Sequence, residues 1–168
     1  MLNNIRADLA VNGGNWGAQG FWVMLVYRFG RWLYTVSPAA LRKFFSLVYK
    51  LSYKFVQILT GIELPREVPV GKVFVIDHFG GLVMSGYASF GNHCRFRNGV
   101  AVGLRRVDEP YVPLIGNYVD IGAGAKLLGN IRIGNNLVIG ANAVVLCDLP
   151  EVHLAVGVPA EVRPRKMC

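Results

Sequence analysis

The chain has 168 residues, of which 53% are hydrophobic and 17% charged, so wholesale disorder is excluded and one compact body with a sizeable core is allowed. A formal net charge of +8 directs attention to an anionic partner: nucleic acid, a membrane surface or a phosphorylated ligand. Cys94, Cys147 and Cys168 have no paired spacing and read as reduced thiols of a cytoplasmic chain, not a disulfide frame or a zinc site.

No secretory signal is expected, because the first apolar run begins near Gly20 and no small-residue cleavage site follows it. A helix is expected from Gly17 to Thr35, around FWVMLVYRFGRWLY. A second follows up to Gly61, with Ser37 placed to cap its free N–H groups, Pro38 suited to the first helical position and Gly61 to its close. On a helical wheel Arg42, Lys43, Ser46, Lys50, Tyr53, Lys54 and Gln57 share one sector, while Leu47, Val48, Leu51, Phe55, Val56, Ile58 and Leu59 fill most of the remainder. Neither helix has ~18 uninterrupted apolar residues, which argues against a membrane span. No Asp or Glu stands between Leu9 and Ile62, whereas Arg28, Arg31 and the basic residues of the second helix do. Residues 1–61 are thus expected to form a short α-helical hairpin. It either packs on protein or lies as a basic anchor on the inner face of the cell membrane.

After Gly61 the texture changes to a six-residue repeat. Ile115, Ile121, Leu127, Ile133, Ile139 and Val145 recur at that step, and Pro113, Val119, Ala125, Ile131, Leu137 and Ala143 form a second column two residues earlier. Upstream the step links Val70, Ile76 and Leu82, then Met84, Phe90, Phe96 and Val102 after a slip of two. A short strand with two inward side chains and a tight corner uses six residues. Three such units close a triangular coil, and stacked coils bury a continuous core. Gly and Asn are expected at the corners because they accept positive φ at low cost. The fold class is therefore mainly β: a left-handed parallel β-helix over 62–150, with an inserted loop at 103–112 and a C-terminal cap and tail over 151–168.

The stretches GIELPREVPVGKVFVIDHFGGLVMSG, PLIGNYVDIGAGAKLLGNIRIGNNLVIGANAVVL and AVGVPAEVRP resemble, in that order, the hexapeptide-repeat acyltransferases. The likeness is strongest to the serine acetyltransferase branch and its relatives in polysaccharide gene sets. It implies that His78 is the general base that takes the acceptor's hydroxyl proton, and that Glu63, fifteen residues earlier, orients it where the family usually has Asp. Asp77 matches the family's neighbouring acid in the acceptor pocket. The resemblance further implies acetyl-CoA as donor, bound between subunits of a homotrimer, with Ala123, Gly124 and Ala141 along the pantetheine arm. Gly103 resembles the position whose N–H meets the thioester oxygen, and Arg105, Arg106, Arg163, Arg165 and Lys166 are candidates for the coenzyme A phosphates. A positioned imidazole is worth roughly 10²–10⁴ in rate, and a carboxylate partner fixes its tautomer. Direct attack without an acyl-enzyme is expected, with Cys94 the alternative nucleophile.

Tyr111-Val112-Pro113 stands where serine-specific members of the family carry Arg-His-Pro, and the helical segment is shorter than theirs. Both departures point away from free serine and toward a sugar or polysaccharide-precursor hydroxyl, with Tyr111 in the acceptor site. Serine O-acetyltransfer and a non-catalytic scaffold in a membrane-associated glycan-synthesis complex are the alternatives. His93 reads as a solvated turn residue and His153 as part of the cap. Three scattered histidines give no metal site, and no nucleic-acid module is visible.

Overall fold

The computed structural model describes residues 1–164. Three helices precede the β-structure: α1 (Leu2–Val11), α2 (Gln19–Trp32) with a 3-10 turn at Leu33–Thr35, and α3 (Ala39–Thr60). Helix α1 was not expected, since its sequence carries neither a capping side chain nor an acidic first turn. The cap of α3 also differs from expectation. Pro38, extended at φ −66° and ψ 118°, is itself the N-cap, which leaves Ser37 one residue too far out to bond the first turn. Gly61 closes α3 as expected, in the left-handed region at φ 66°.

The remainder is the left-handed parallel β-helix. One face carries β1 (Ile62–Glu63), β3 (Leu82–Met84), β6 (Ala101–Gly103), β9 (Lys126–Leu128) and β12 (Val144–Val145), paired in that order. A second carries β4 (Ser89–Phe90), β7 (Leu114–Ile115) and β10 (Arg132–Ile133). The third runs β2 (Val75–Ile76), β5 (Arg95–Phe96), β8 (Asp120–Ile121), β11 (Val138–Ile139), β13 (His153–Val156) and β14 (Glu161–Pro164), parallel until β14 pairs antiparallel with β13. Both repeat columns of the C-terminal half point inward and are buried. At the N-terminal end the core widens to hold Phe74, Phe90 and Phe96, whose rings meet at centroid distances of 4.7–5.6 Å.

Along the edge that carries His78 the corners are the expected Gly and Asn, with Gly81, Gly99, Gly124 and Asn142 at φ between 57° and 74°. Along the edge before the third face they are not: Val73, His93, Tyr118 and Val152 take φ between 56° and 58° at bends equivalent to Asn136. The stacked backbone enforces this: the His93 N–H donates to Lys72 O (2.9 Å), Tyr118 to Asn92 O (2.8 Å) and Val152 to Asn135 O (3.0 Å). Asparagine sits one place earlier, where Asn117 Oδ1 accepts from the Asn92 N–H and Asn135 Oδ1 from the Asn117 N–H, both at 2.8 Å.

Helix α2 plugs the open first coil. Phe21, Val23, Met24 and Tyr27 are buried, and the Tyr27 hydroxyl donates to Val68 O while accepting from the Val70 N–H. Gly20 passes so close to Ile76 O that any Cβ would collide with it. Arg28 does not belong to a basic outer face. Its Nε bonds Asp8 Oδ2 at 2.9 Å with side-chain exposures of 5% and 1%, and its Nη2 donates to Gly71 O at 2.8 Å. On α3, Phe45, Tyr49, Val56 and Thr60 turn toward the subunit, while Phe44, Leu47, Leu51, Phe55, Ile58 and Leu59 remain exposed. Among the described residues no helix is long and apolar enough to cross a membrane.

Replacing Asp8 with Ala would strand the buried Arg28 guanidinium. We expect a loss of about 3–5 kcal/mol of stability, measured by urea denaturation; an unchanged midpoint would show that the pair holds nothing together.

Candidate active site

Between the third face and the first runs one longitudinal edge of the β-helix. Backbone bonds stack it: the Gly80 N–H donates to Thr60 O, Gly99 to Gly80 O, Gly124 to Asn98 O and Asn142 to Ala123 O, all within 2.8–2.9 Å. His78 stands on this edge between β2 and β3, exposed, and Gly80, Gly81, Gly99, Ala123, Gly124 and Ala141 succeed it with almost no side chain. Three of the residues expected along the donor's pantetheine arm therefore share an edge with the expected base. Lys126 was not singled out from the sequence, yet its Nζ binds the edge carbonyls of Gly99 and Gly124 and fixes the corner below.

On the first face, Glu63 of β1 lies level with Val83 of β3. The expected contact between Glu63 and His78 is not formed among the described residues. Gln57 Nε2, at the end of α3, donates instead to Glu63 Oε1 at 2.7 Å. The physical reason is proximity: the turn at Gly61 brings the last turn of the helix over β1. Burial, followed by the charge of Glu63, pushes the nearby Tyr53 phenol up to about 12, so it remains protonated beside the carboxylate.

On the third face, Asp77 Oδ2 lies 3.7 Å from Arg95 Nε and 3.8 Å from Arg97 Nε. Arg97 continues down the face to Asp120, bonding both carboxylate oxygens, and is held above its ordinary pKa chiefly by that bond. Sequence reasoning missed both arginines; the alternation of strand β5, which turns positions 95 and 97 outward beside Asp77, was the available signal.

Other expected site residues lie apart. Gly103 ends β6 at the far side of the first face, with Arg105 packed beside Gly129 and Tyr111 exposed on the loop between β6 and β7. Arg163 is on β14, at the opposite edge of the six-stranded sheet from Asp77's strand, and pairs with Glu161 at 3.1 Å. Arg106 pairs with Asp108 and Glu109. Arg165 and Lys166 lie outside the described residues. His93 is a corner residue whose ring stacks on Tyr118 at 4.6 Å, and His153 Nδ1 lies 2.6 Å from Glu151 O.

No family model matches the chain. A serine acetyltransferase of Helicobacter pylori (strain J99) is 36% identical over 143 residues, covering 84% of this chain and 80% of that protein. The chain belongs to the serine acetyltransferase-like family of hexapeptide-repeat acyltransferases. A serine acetyltransferase of Synechococcus elongatus is 35% identical over 144 residues, covering 85% of this chain and 56% of that relative, so the chain spans little more than half of the longer relative's length. Among solved structures, the serine acetyltransferase of Neisseria gonorrhoeae superposes with a TM-score of 0.80 at 28% identity, covering 99% of this chain and 67% of that one.

These matches overturn the sugar or polysaccharide acceptor, and with it the glycan as a partner. A short helical segment does not point away from serine, because the Helicobacter relative, four-fifths covered by the alignment, is itself scarcely longer. Tyr111-Val112 before Pro113 does not outweigh 36% identity to a serine acetyltransferase over 84% of the chain.

Cys94 is no nucleophile. It is buried, its Sγ lies 3.3 Å from Gly116 O, and burial pushes its thiol up to about 11. The thiol thus stays protonated, and unreactive, until well above neutral pH. Cys94→Ala is expected to retain full thiol release from acetyl-CoA; loss of turnover in a folded variant would restore the acyl-enzyme route.

Proposed function

We propose that this chain transfers an acetyl group from acetyl-CoA to the hydroxyl of serine, with His78 as general base. The observation that carries the reading is the match to serine acetyltransferases over 84% of the chain, with His78 on the bare edge of the β-helix. One of the solved structures similar to it is a serine acetyltransferase in complex with CoA, and another is one in complex with serine.

In this reading the donor lies along the edge, in the groove between subunits of a homotrimer. Ala123, Gly124 and Ala141 let its thin arm approach the backbone; Gly103, across the first face from His78 within one subunit, meets the carbonyl oxygen through its N–H only where the partner subunit brings it into the groove. Arg105, on the loop after Gly103, supplies positive charge for the phosphates. The serine oxygen attacks the thioester carbon while its proton passes to a His78 ring nitrogen. Collapse of the tetrahedral intermediate breaks the C–S bond, and the departing sulfur takes the proton back. The products are O-acetylserine and free coenzyme A. For Glu63 to orient the ring, its side chain must turn Oε2, which has no hydrogen bond among the described residues while Gln57 holds Oε1, toward His78 when substrates bind. Asp77 and Tyr111 border the acceptor.

Free-thiol release from acetyl-CoA with L-serine tests the reading against monosaccharides, nucleotide sugars and oligosaccharide repeat units. We expect turnover with serine and a fall of roughly 10²–10⁴ in His78→Ala, with the circular dichroism spectrum and oligomer size unchanged. Turnover retained in the variant would reject His78, and turnover confined to a sugar would reject serine.

A further inference from the structure

An amino-acid acceptor brings a carboxylate that needs a cation in the site, and Tyr111 and Val112 provide none. The guanidinium groups beside Asp77, the neighbour of His78 in sequence, are those of Arg95 and Arg97. They are not equivalent. Arg97 is committed: Nη1 donates to Asp120 Oδ1 and to Ile121 O (3.4 Å), and Nη2 donates to Asp120 Oδ2 (3.4 Å). Arg95 touches Asp77 through Nε at 3.7 Å, and its two Nη groups make no hydrogen bond among the described residues. Its side chain is 48% exposed against 32% for Arg97. Arg95 also lines an open groove of about 410 Å³ with His93, Tyr118 and Asp120, toward the corner between the second and third faces and away from His78.

We propose that Arg95 determines acceptor specificity by binding the carboxylate of the amino acid through its two Nη groups. A guanidinium presents two parallel N–H donors that match a carboxylate, a geometry that a lysine ammonium lacks. Asp77 is then left to meet the acceptor's ammonium group, and Arg97, locked on Asp120, keeps Asp77 in place. The zwitterion thus spans opposite charges on adjacent coils of the third face, with its hydroxyl reaching round to the edge where His78 stands. This inference rests on the serine reading above.

The test compares L-serine with L-serinamide, which keeps the ammonium and hydroxyl but lacks the carboxylate, in the full-length protein and in Arg95→Gln. The expected result is a rise in KM for L-serine of about 10- to 100-fold. Its kcat, the KM for acetyl-CoA and the kinetics with serinamide should stay within twofold of the parent, and Arg95→Lys should recover part of the loss. An unchanged KM for serine, with serine turned over normally, overturns the assignment of Arg95 and leaves the serine reading intact. An equal loss with both acceptors also overturns it, because it would mark damage to the fold and not a lost carboxylate contact. Absence of serine turnover in the parent protein sinks the serine reading, and Arg95's role with it.

Discussion

The structure depends on backbone hydrogen bonds between successive coils. Each strand is two to four residues long and too short to stand alone, so every coil exists by pairing with the coil above and below. The pairing is strong enough to hold Val152 at φ 58° and Tyr118 at φ 56°, conformations that normally cost an L-residue roughly 1–2 kcal/mol. That cost is offset because the N–H groups of His93, Tyr118 and Val152 each find a carbonyl one coil away, and because Asn117 and Asn135 chain their side chains along the same edge. The same stacking makes the candidate site. It aligns Gly80, Gly99, Ala123 and Ala141 into a bare rail without any one of them being specialised for it.

Such a coil stack must be finished at its ends. At the C-terminal end β14 turns back antiparallel on β13. At the N-terminal end α2 lies across the first coil, and the buried Asp8–Arg28 pair binds three segments at once. Asp8 comes from α1 and Arg28 from α2, while the Phe74 N–H (3.4 Å) and the carbonyl of Gly71 belong to the first coil. Charges this deeply buried are tolerated because nearly every donor and acceptor of the pair is used. The helices also reach the site, since Gln57 at the end of α3 holds the carboxylate of Glu63.

The β-helix was legible because its period is enforced by geometry: a six-residue step with two inward apolar positions admits few other folds. The helices α2 and α3 were legible from apolar runs and from Gly61. Helix α1 and the Asp8–Arg28 pair were not, because an isolated acid in a weakly patterned segment gives no sign that its partner lies twenty residues on. Corner identity was misjudged along one edge for a related reason. Propensity describes a residue in isolation, whereas Tyr118 and Val152 answer to hydrogen bonds from neighbouring coils. At the site, His78, Ala123, Gly124 and Ala141 were named from the family resemblance, and the stacked coils bring them onto one edge. The choice of acceptor was not legible, because charge was sought on the loop before Pro113 and not on strand β5.

That last point reaches beyond one residue pair. In a stacked coil, position is shared between coils, so residues eighteen to twenty apart in sequence, or twenty-five across the inserted loop, occupy adjacent places on one face. A function lost from a loop can then reappear on the neighbouring coil without any change in the scaffold. Asp77, Arg97 and Asp120 show how this works, because three successive coils contribute alternating charges to a single ladder. Arg97 neutralises both acids, which leaves Arg95 as the member with donors to spare. The edge at His78 separates this charged face from the face that carries Glu63. An acceptor held by its charged end on one face would therefore present its hydroxyl at the boundary, where the imidazole lies and the backbone is bare enough for a thioester to approach.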